Sequence, residues 1–203
     1  MNLLTYQRQM QNFSLPFNNL PYAGNSLQKA LLKLGTIRFY KTGSCLHSPN
    51  ETGDKMFFLK KGLVHIYRLA GHSRKTCWLS SGGETLCCLN RFFGAEVCDL
   101  NFEALEYTEA LVLSYDHIAQ LLEQNDLNLQ VTGIISSHYY RIHEFFSRNT
   151  GTASDRYEQF LERFPGMQNR VSSKIIASFI DVTPKTITRL RSCKNKMKLP
   201  IVV

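Results

Sequence analysis

The sequence predicts a mixed α+β chain: a small all-β domain first, then helices, then a short basic helical hairpin. Three observations point to it. Gly43, Gly53, Gly62, Gly71, Gly82-Gly83 and Gly94 punctuate Thr36 to Ser114 at intervals of about ten residues, the rhythm of turns in a sandwich or barrel. From Tyr115 onward the apolar spacing changes to three and four residues, the period of helices. The positive charge gathers at one end, where Arg170, Lys174, Lys185, Arg189, Arg191, Lys194, Lys196 and Lys198 stand against Asp181 alone and account for nearly all of the net +8.

Length and composition bound the rest. The 203 residues suffice for one ordinary domain and a small one, and 43% hydrophobic with 20% charged residues is the balance of a soluble globular chain. No apolar run is long enough to cross a bilayer, and Met1 to Phe17 lacks the apolar core of a signal peptide, so a cytoplasmic protein is expected. Cys45, Cys77, Cys87, Cys88, Cys98 and Cys193 follow no framework spacing and are expected to be reduced thiols.

Taken in order, Leu27, Leu31, Leu32 and Leu34 end a segment, Leu3 to Leu34, that reads as a short helix on the barrel. Ile37 and Phe39 alternate with polar neighbours. Met56 to Leu59 and Leu63 to Leu69 read as strands joined by a tight turn at Lys60-Lys61-Gly62. Ile118, Leu121 and Leu122 share a helical face. Leu127, Val131, Ile134, His138, Ile142 and Phe145 then form the stripe of a long amphipathic helix. Such a stripe covers either its own barrel or a second copy. Its place between two domains favours the second copy, so these six residues are the expected dimer interface. Thr150-Gly151-Thr152 breaks the pattern as a candidate hinge, and Tyr157, Phe160, Leu161 and Phe164 define a shorter helix ending before Pro165-Gly166.

The C-terminal segment carries the chemistry. Ser172 or Ser173 can cap a helix in which Ile175/Phe179 and Ile176/Ile180 are i,i+4 apolar pairs, with the small Ala177 between them allowing another helix to cross closely. The chain reverses at Ile180-Asp181-Val182. Thr183 can accept from first-turn amides, and Pro184 at the first helical position loses no needed donor. On this second helix Ile187 and Leu190 face inward, while Lys185, Thr188, Arg189 and Ser192 share the opposite face. A helix fits the major groove of B-DNA, where arginine pairs with guanine and threonine reads other base edges. Lys185, Thr186, Thr188 and Arg189 are the expected base readers, Arg189 foremost. Arg170, Lys174, Thr183, Arg191, Lys194 and Lys196 are expected on phosphates, with Lys198 beside them.

Ile176-Ala177-Ser178-Phe179-Ile180-Asp181-Val182-Thr183-Pro184-Lys185-Thr186-Ile187-Thr188-Arg189-Leu190 resembles the helix-turn-helix of the Crp/Fnr superfamily, whose pattern is isoleucine-alanine, a glycine turn, threonine-proline-x-threonine and an arginine. Asp155 to Pro165 resembles the linker helix of a branch common in Bacteroidetes. The resemblance implies a double-stranded β-helix, the cyclic-nucleotide-binding-like jelly roll, as sensory domain over 1–115. It further implies a dimerisation helix over 116–150 and a helix-turn-helix domain over 151–203 with little or no wing. It implies a homodimeric, sequence-specific transcriptional regulator whose partners are double-stranded DNA, a second copy of itself and RNA polymerase.

The chain departs from the family pattern at three places. Asp181 stands where the turn usually has glycine, although aspartate tolerates a left-handed backbone better than most residues. Too little chain follows Leu190 for a full wing. Cys87-Cys88 and Cys98 stand where nucleotide-binding members hold the cyclic phosphate, and Leu86 to Leu105 offers only Arg91 as a cation, so cyclic nucleotide is not the expected effector. No cysteine cluster near the N-terminus suits an iron-sulfur centre. A cupin-like metal-dependent enzyme using His47, His65 and His72 is the alternative of a different class, but the paired histidine-x-histidine spacing is missing. A non-catalytic β-roll interaction module, with the basic tail as an electrostatic anchor, is the other. No catalytic residue, metal or cofactor is expected, and the effector is open.

Overall fold

The computed structural model describes residues 25–49, 51, 54–88 and 98–197, with side chains through Cys193. Among these, eight strands form two antiparallel four-stranded sheets. The first has the order β1 (Thr36–Tyr40), β8 (Thr108–Ser114), β3 (Lys55–Lys61), β6 (Thr85–Cys87); the second has β2 (Cys45–His47), β7 (Asn101–Ala104), β4 (Leu63–Ala70), β5 (Ser73–Ser81). Apart from the β4–β5 hairpin, sequential strands fall in different sheets, as in a jelly roll. Phe57 of one sheet meets Phe102 of the other edge-on, at 6.0 Å between ring centroids, and fills the space between them.

The segment expected to be a tight turn is a corner between sheets. β3 and β4 are separated by Gly62 alone, yet pair with different neighbours. The register of β3 against β8 shifts between Leu59 and Lys61, and Gly62 takes φ +104°. A Cβ there would lie 2.6 Å from the Thr108 backbone, so only glycine fits. The bulge and glycine bend the strand out of one sheet and into the next.

Three helices cover the outer face of the first sheet. α1 (Asn25–Leu34) contributes Leu27 and Leu31, α2 (Tyr115–Leu122) contributes Ile118 and Leu121, and α3 (Asn125–Arg148) contributes Leu127, Val131 and Ile134. All seven are buried against Ile37, Met56, Phe58, Cys87, Leu111 and Leu113. The expected dimer stripe is therefore turned inward: Leu127, Val131, Ile134 and His138 are buried within the chain, as is Phe145, and Ile142 is half-buried. The reason is energetic. Each apolar side chain gains about 1.5–3 kcal/mol on full burial, and the sheet presents Met56, Phe58, Leu111 and Leu113 as a complementary apolar face within the same chain.

The described chain divides into two compact units. One comprises residues 1–67 and 79–140; the other comprises residues 68–78, the tip of the β4–β5 hairpin, and residues 141–203. In the second unit α4 (Ala153–Arg163) begins at Thr152, whose hydroxyl accepts from the Asp155 amide while the Asp155 carboxylate accepts from the Thr152 amide. This capping box fixes the break at Thr150-Gly151-Thr152. A single 3₁₀ turn (Met167–Asn169), α5 (Ser173–Phe179) and α6 (Pro184–Met197) follow. Trp78 is the hub of this unit's core, with ring centroids 5.3 Å from Phe164, 5.8 Å from Phe145 and 5.9 Å from Phe179. The Arg163 guanidinium lies 5.1 Å over the Trp78 ring.

The cysteines need one correction. Cys88 and Cys98 are joined in a disulfide, whereas Cys45, Cys77, Cys87 and Cys193 are free thiols. The fold brings the two bridged Cα atoms within 6.2 Å, inside bridging range, which spacing along the sequence does not reveal. Burial pushes the Cys87 thiol up to about 12, which leaves it protonated and unreactive. The expectations that rest on Arg91, on residues 1–24 and on the wing after Met197 lie outside the described residues.

Candidate nucleic-acid interface

α5 and α6 meet across a turn built from local rules. Ser172 caps α5, its hydroxyl accepting from the Ile175 amide at 3.3 Å, so of the two candidate caps it is the one used. At the other end the Val182 amide donates to the Ala177 carbonyl at 3.0 Å, the six-to-one bond of a Schellman turn. That motif needs a left-handed residue after the cap, and Asp181 supplies it with φ +55°. Ala177, Ile180 and Ile187 are buried where the helices cross. The Thr183 hydroxyl accepts from the Thr186 amide at 3.2 Å and starts α6.

The expected base readers separate into two groups. Lys185, Thr188 and Arg189 are exposed on one face of α6, opposite buried Ile187. Thr186 is half-buried and its hydroxyl meets that of Thr183 at 2.9 Å, which commits it to the cap. Leu190 is half-buried, on the inner side as expected.

The expected phosphate ligands divide similarly. Arg170, Lys174 and Thr183 are exposed near the two helix starts. Arg191 is corrected to an internal role: its guanidinium donates to the Gln168 carbonyl at 2.7 Å and to the Ser173 hydroxyl at 3.0 Å. It ties α6 to the turn preceding α5. The side chains of Lys194 and Lys196, like Lys198, lie outside the described residues.

Residues far away in sequence also reach this site. From the β4–β5 tip, the Lys75 ammonium bonds the Ser178 carbonyl and the Asp181 carboxylate, and the Thr76 amide donates to the Ser178 hydroxyl. Arg156 of α4 donates to the Asp181 carbonyl at 3.2 Å. Roughly a hundred residues separate the hairpin from the turn, beyond the reach of any local pattern.

The histidines weighed for an enzyme do not converge. His47 and His65 are buried, His72 is exposed, and no group of three His, Cys, Asp or Glu among the described residues could hold a metal ion. Burial pushes the His47 imidazole below its ordinary value, opposed by Glu51 at 3.7 Å.

A roll of two four-stranded sheets, a long helix and a capped helix-turn-helix define the class of fold. Residues 37–125 match the cyclic nucleotide-binding domain family. The described residues share their fold with solved structures of low sequence identity. The chain superposes on FixK2 from Bradyrhizobium japonicum with a TM-score of 0.69 and 14% identity, over 81% of this chain and 86% of that one. CLP from Xanthomonas campestris, a c-di-GMP-responsive global regulator, gives 0.65 and 16%, over 84% and 91%. A protein from Eubacterium rectale assigned to the Crp/Fnr family of transcriptional regulators gives 0.65 and 14%, over 91% and 88%. No curated protein matches the chain by sequence. No helix among the described residues is long and apolar enough to cross a membrane.

Proposed function

We propose that the protein is a sequence-specific DNA-binding transcriptional regulator that works as a homodimer on a pseudo-palindromic site. The observation that carries this is the outward face of α6, where Lys185, Thr188 and Arg189 are exposed on a helix whose start and crossing are locked by Thr183, Ala177 and Asp181. Arg189 donates to a guanine edge, Lys185 and Thr188 read neighbouring bases, and Arg170 and Lys174 hold phosphates. The Crp/Fnr-type fold supports this reading, and RNA polymerase is the expected protein partner.

The dimer forms on the face of α3 opposite the buried stripe. Leu129 is 72% exposed and Tyr139 and Tyr140 are 51% and 61% exposed, an unusual apolar outlay for a helix facing water. With two such chains, the α6 helices enter successive major grooves ~34 Å apart. In this reading the roll does not bind a cyclic nucleotide, since Cys87, Cys88 and Cys98 stand where phosphate-holding groups are needed.

The test is selection of sheared genomic DNA by the purified protein at near-physiological salt, beside the Lys185→Ala/Arg189→Ala variant. Inverted repeats enriched by the wild type and lost in the variant are the expected result. Equal enrichment by both proteins, or none by either, refutes the assignment.

A further inference from the structure

We infer that Lys75, with Thr76, is a positioning element for DNA binding: the β4–β5 tip latches the helix-turn-helix through Ser178 and Asp181. This rests on the DNA-binding reading above and adds to it how α5 and α6 are held. The Ser178 hydroxyl accepts from the Thr76 amide at 2.9 Å and donates to the Arg74 carbonyl at 3.0 Å, so one side chain of α5 pairs with the hairpin backbone on both sides. The Thr76 hydroxyl also donates to the Ile175 carbonyl at 3.4 Å.

The second half of the latch is at the turn. Carbonyls in the last turn of a helix lack intrahelical partners. Lys75 satisfies that of Ser178 at 3.0 Å and, with the same ammonium, pairs with Asp181. Asp181 occupies the left-handed position where glycine is least strained, so the aspartate is held there at some conformational cost. Its carboxylate is what the hairpin grips. It is also the only acidic side chain after Pro165, and pairing with Lys75 cancels a charge that would otherwise repel phosphates beside the start of α6. A half-exposed ion pair contributes little alone, so the geometry comes from the neutral hydrogen bonds and the ion pair selects it. β4 and β5 run unbroken into the tip, which makes the latch continuous with the roll's own strands.

The deciding variant is Asp181→Gly in the full chain. Glycine relaxes the left-handed turn, and loss of a carboxylate near phosphates should by itself leave DNA binding equal or tighter. The latch predicts the reverse: at least about tenfold weaker binding to fragments selected by the wild type, with melting temperature unchanged or raised. Trp78, the only tryptophan and part of the same tip, should change its emission. Ser178→Ala should reproduce both effects, and the exchange Lys75→Glu/Asp181→Lys should recover part of the lost affinity. A glycine variant that selects the same fragments as tightly, with unchanged Trp78 emission, overturns the latch alone. A wild type that selects no fragment overturns the DNA-binding reading and the positioning role together.

Discussion

At the scale of single residues, similar side chains have been given different tasks by their surroundings. Arg189 is exposed on α6, whereas Arg191, two positions later, is bonded to Gln168 and Ser173. Arg189→Ala should cost ~1–3 kcal/mol of affinity and relax specificity at one base position, while Lys174→Ala should weaken all sequences alike and lower the salt slope by about one. Titrations of single-base variants of a selected site at two salt concentrations separate these; equal profiles for the two variants contradict the roles assigned. Arg191→Ala should instead lower folding stability, by about 1.5–3 kcal/mol for its lost charged hydrogen bonds, read by urea denaturation without DNA. His47 gives a pH dependence of definite sign. Its folded value is lowered by burial, so the unfolded chain binds the proton more readily, and stability is lost as pH falls below the ordinary imidazole range. His47→Gln should flatten the change in denaturation midpoint between about pH 7.5 and pH 5.5; an unchanged slope assigns it to another group.

At the scale of elements, the helix-turn-helix was legible because its determinants are local. Ser172, Ala177, Asp181 and Thr183-Pro184 act within a few residues of themselves, and each is found in the role its chemistry suggests. The stripe on α3 was legible as a stripe but not as an interface, since a three-four period says that a face is covered and not by what. The Gly62 corner was hidden for a related reason: two apolar runs with a glycine between them look alike whether they pair or part. The Trp78 cluster and the Lys75 contacts join segments with no sequence proximity, so nothing local announced them. The two faces of α3 should respond differently to charge. Val131→Asp places a carboxylate in the apolar layer between α3 and the first sheet and should unfold the protein, whereas Tyr140→Glu should leave it folded and give the mass of one chain in light scattering. A Tyr140→Glu protein that still has the mass of two chains would remove that face from the dimer.

At the scale of the whole molecule, native alkylation should label exposed Cys45 and Cys193, and reduction of the unfolded chain should release two further thiols from Cys88 and Cys98. The bridge spans a sequence separation of 10 residues, and closing so short a loop stabilises by about 3 kcal/mol in the chain-entropy view. If mass spectrometry finds six alkylated cysteines before reduction, the bridge is absent in solution. The division of the chain has a consequence for inheritance. Residues 68–78 belong with the C-terminal unit although they are encoded in the middle of the roll. The C-terminal unit is therefore not a cassette. A fragment beginning at residue 141 would carry Phe145, Phe164 and Phe179 without the tryptophan they surround, and should show no cooperative melting by circular dichroism. A recombination joining this unit to a foreign roll at one crossover would discard its central side chain. In this lineage the two halves are expected to be inherited, and to change, as a single unit.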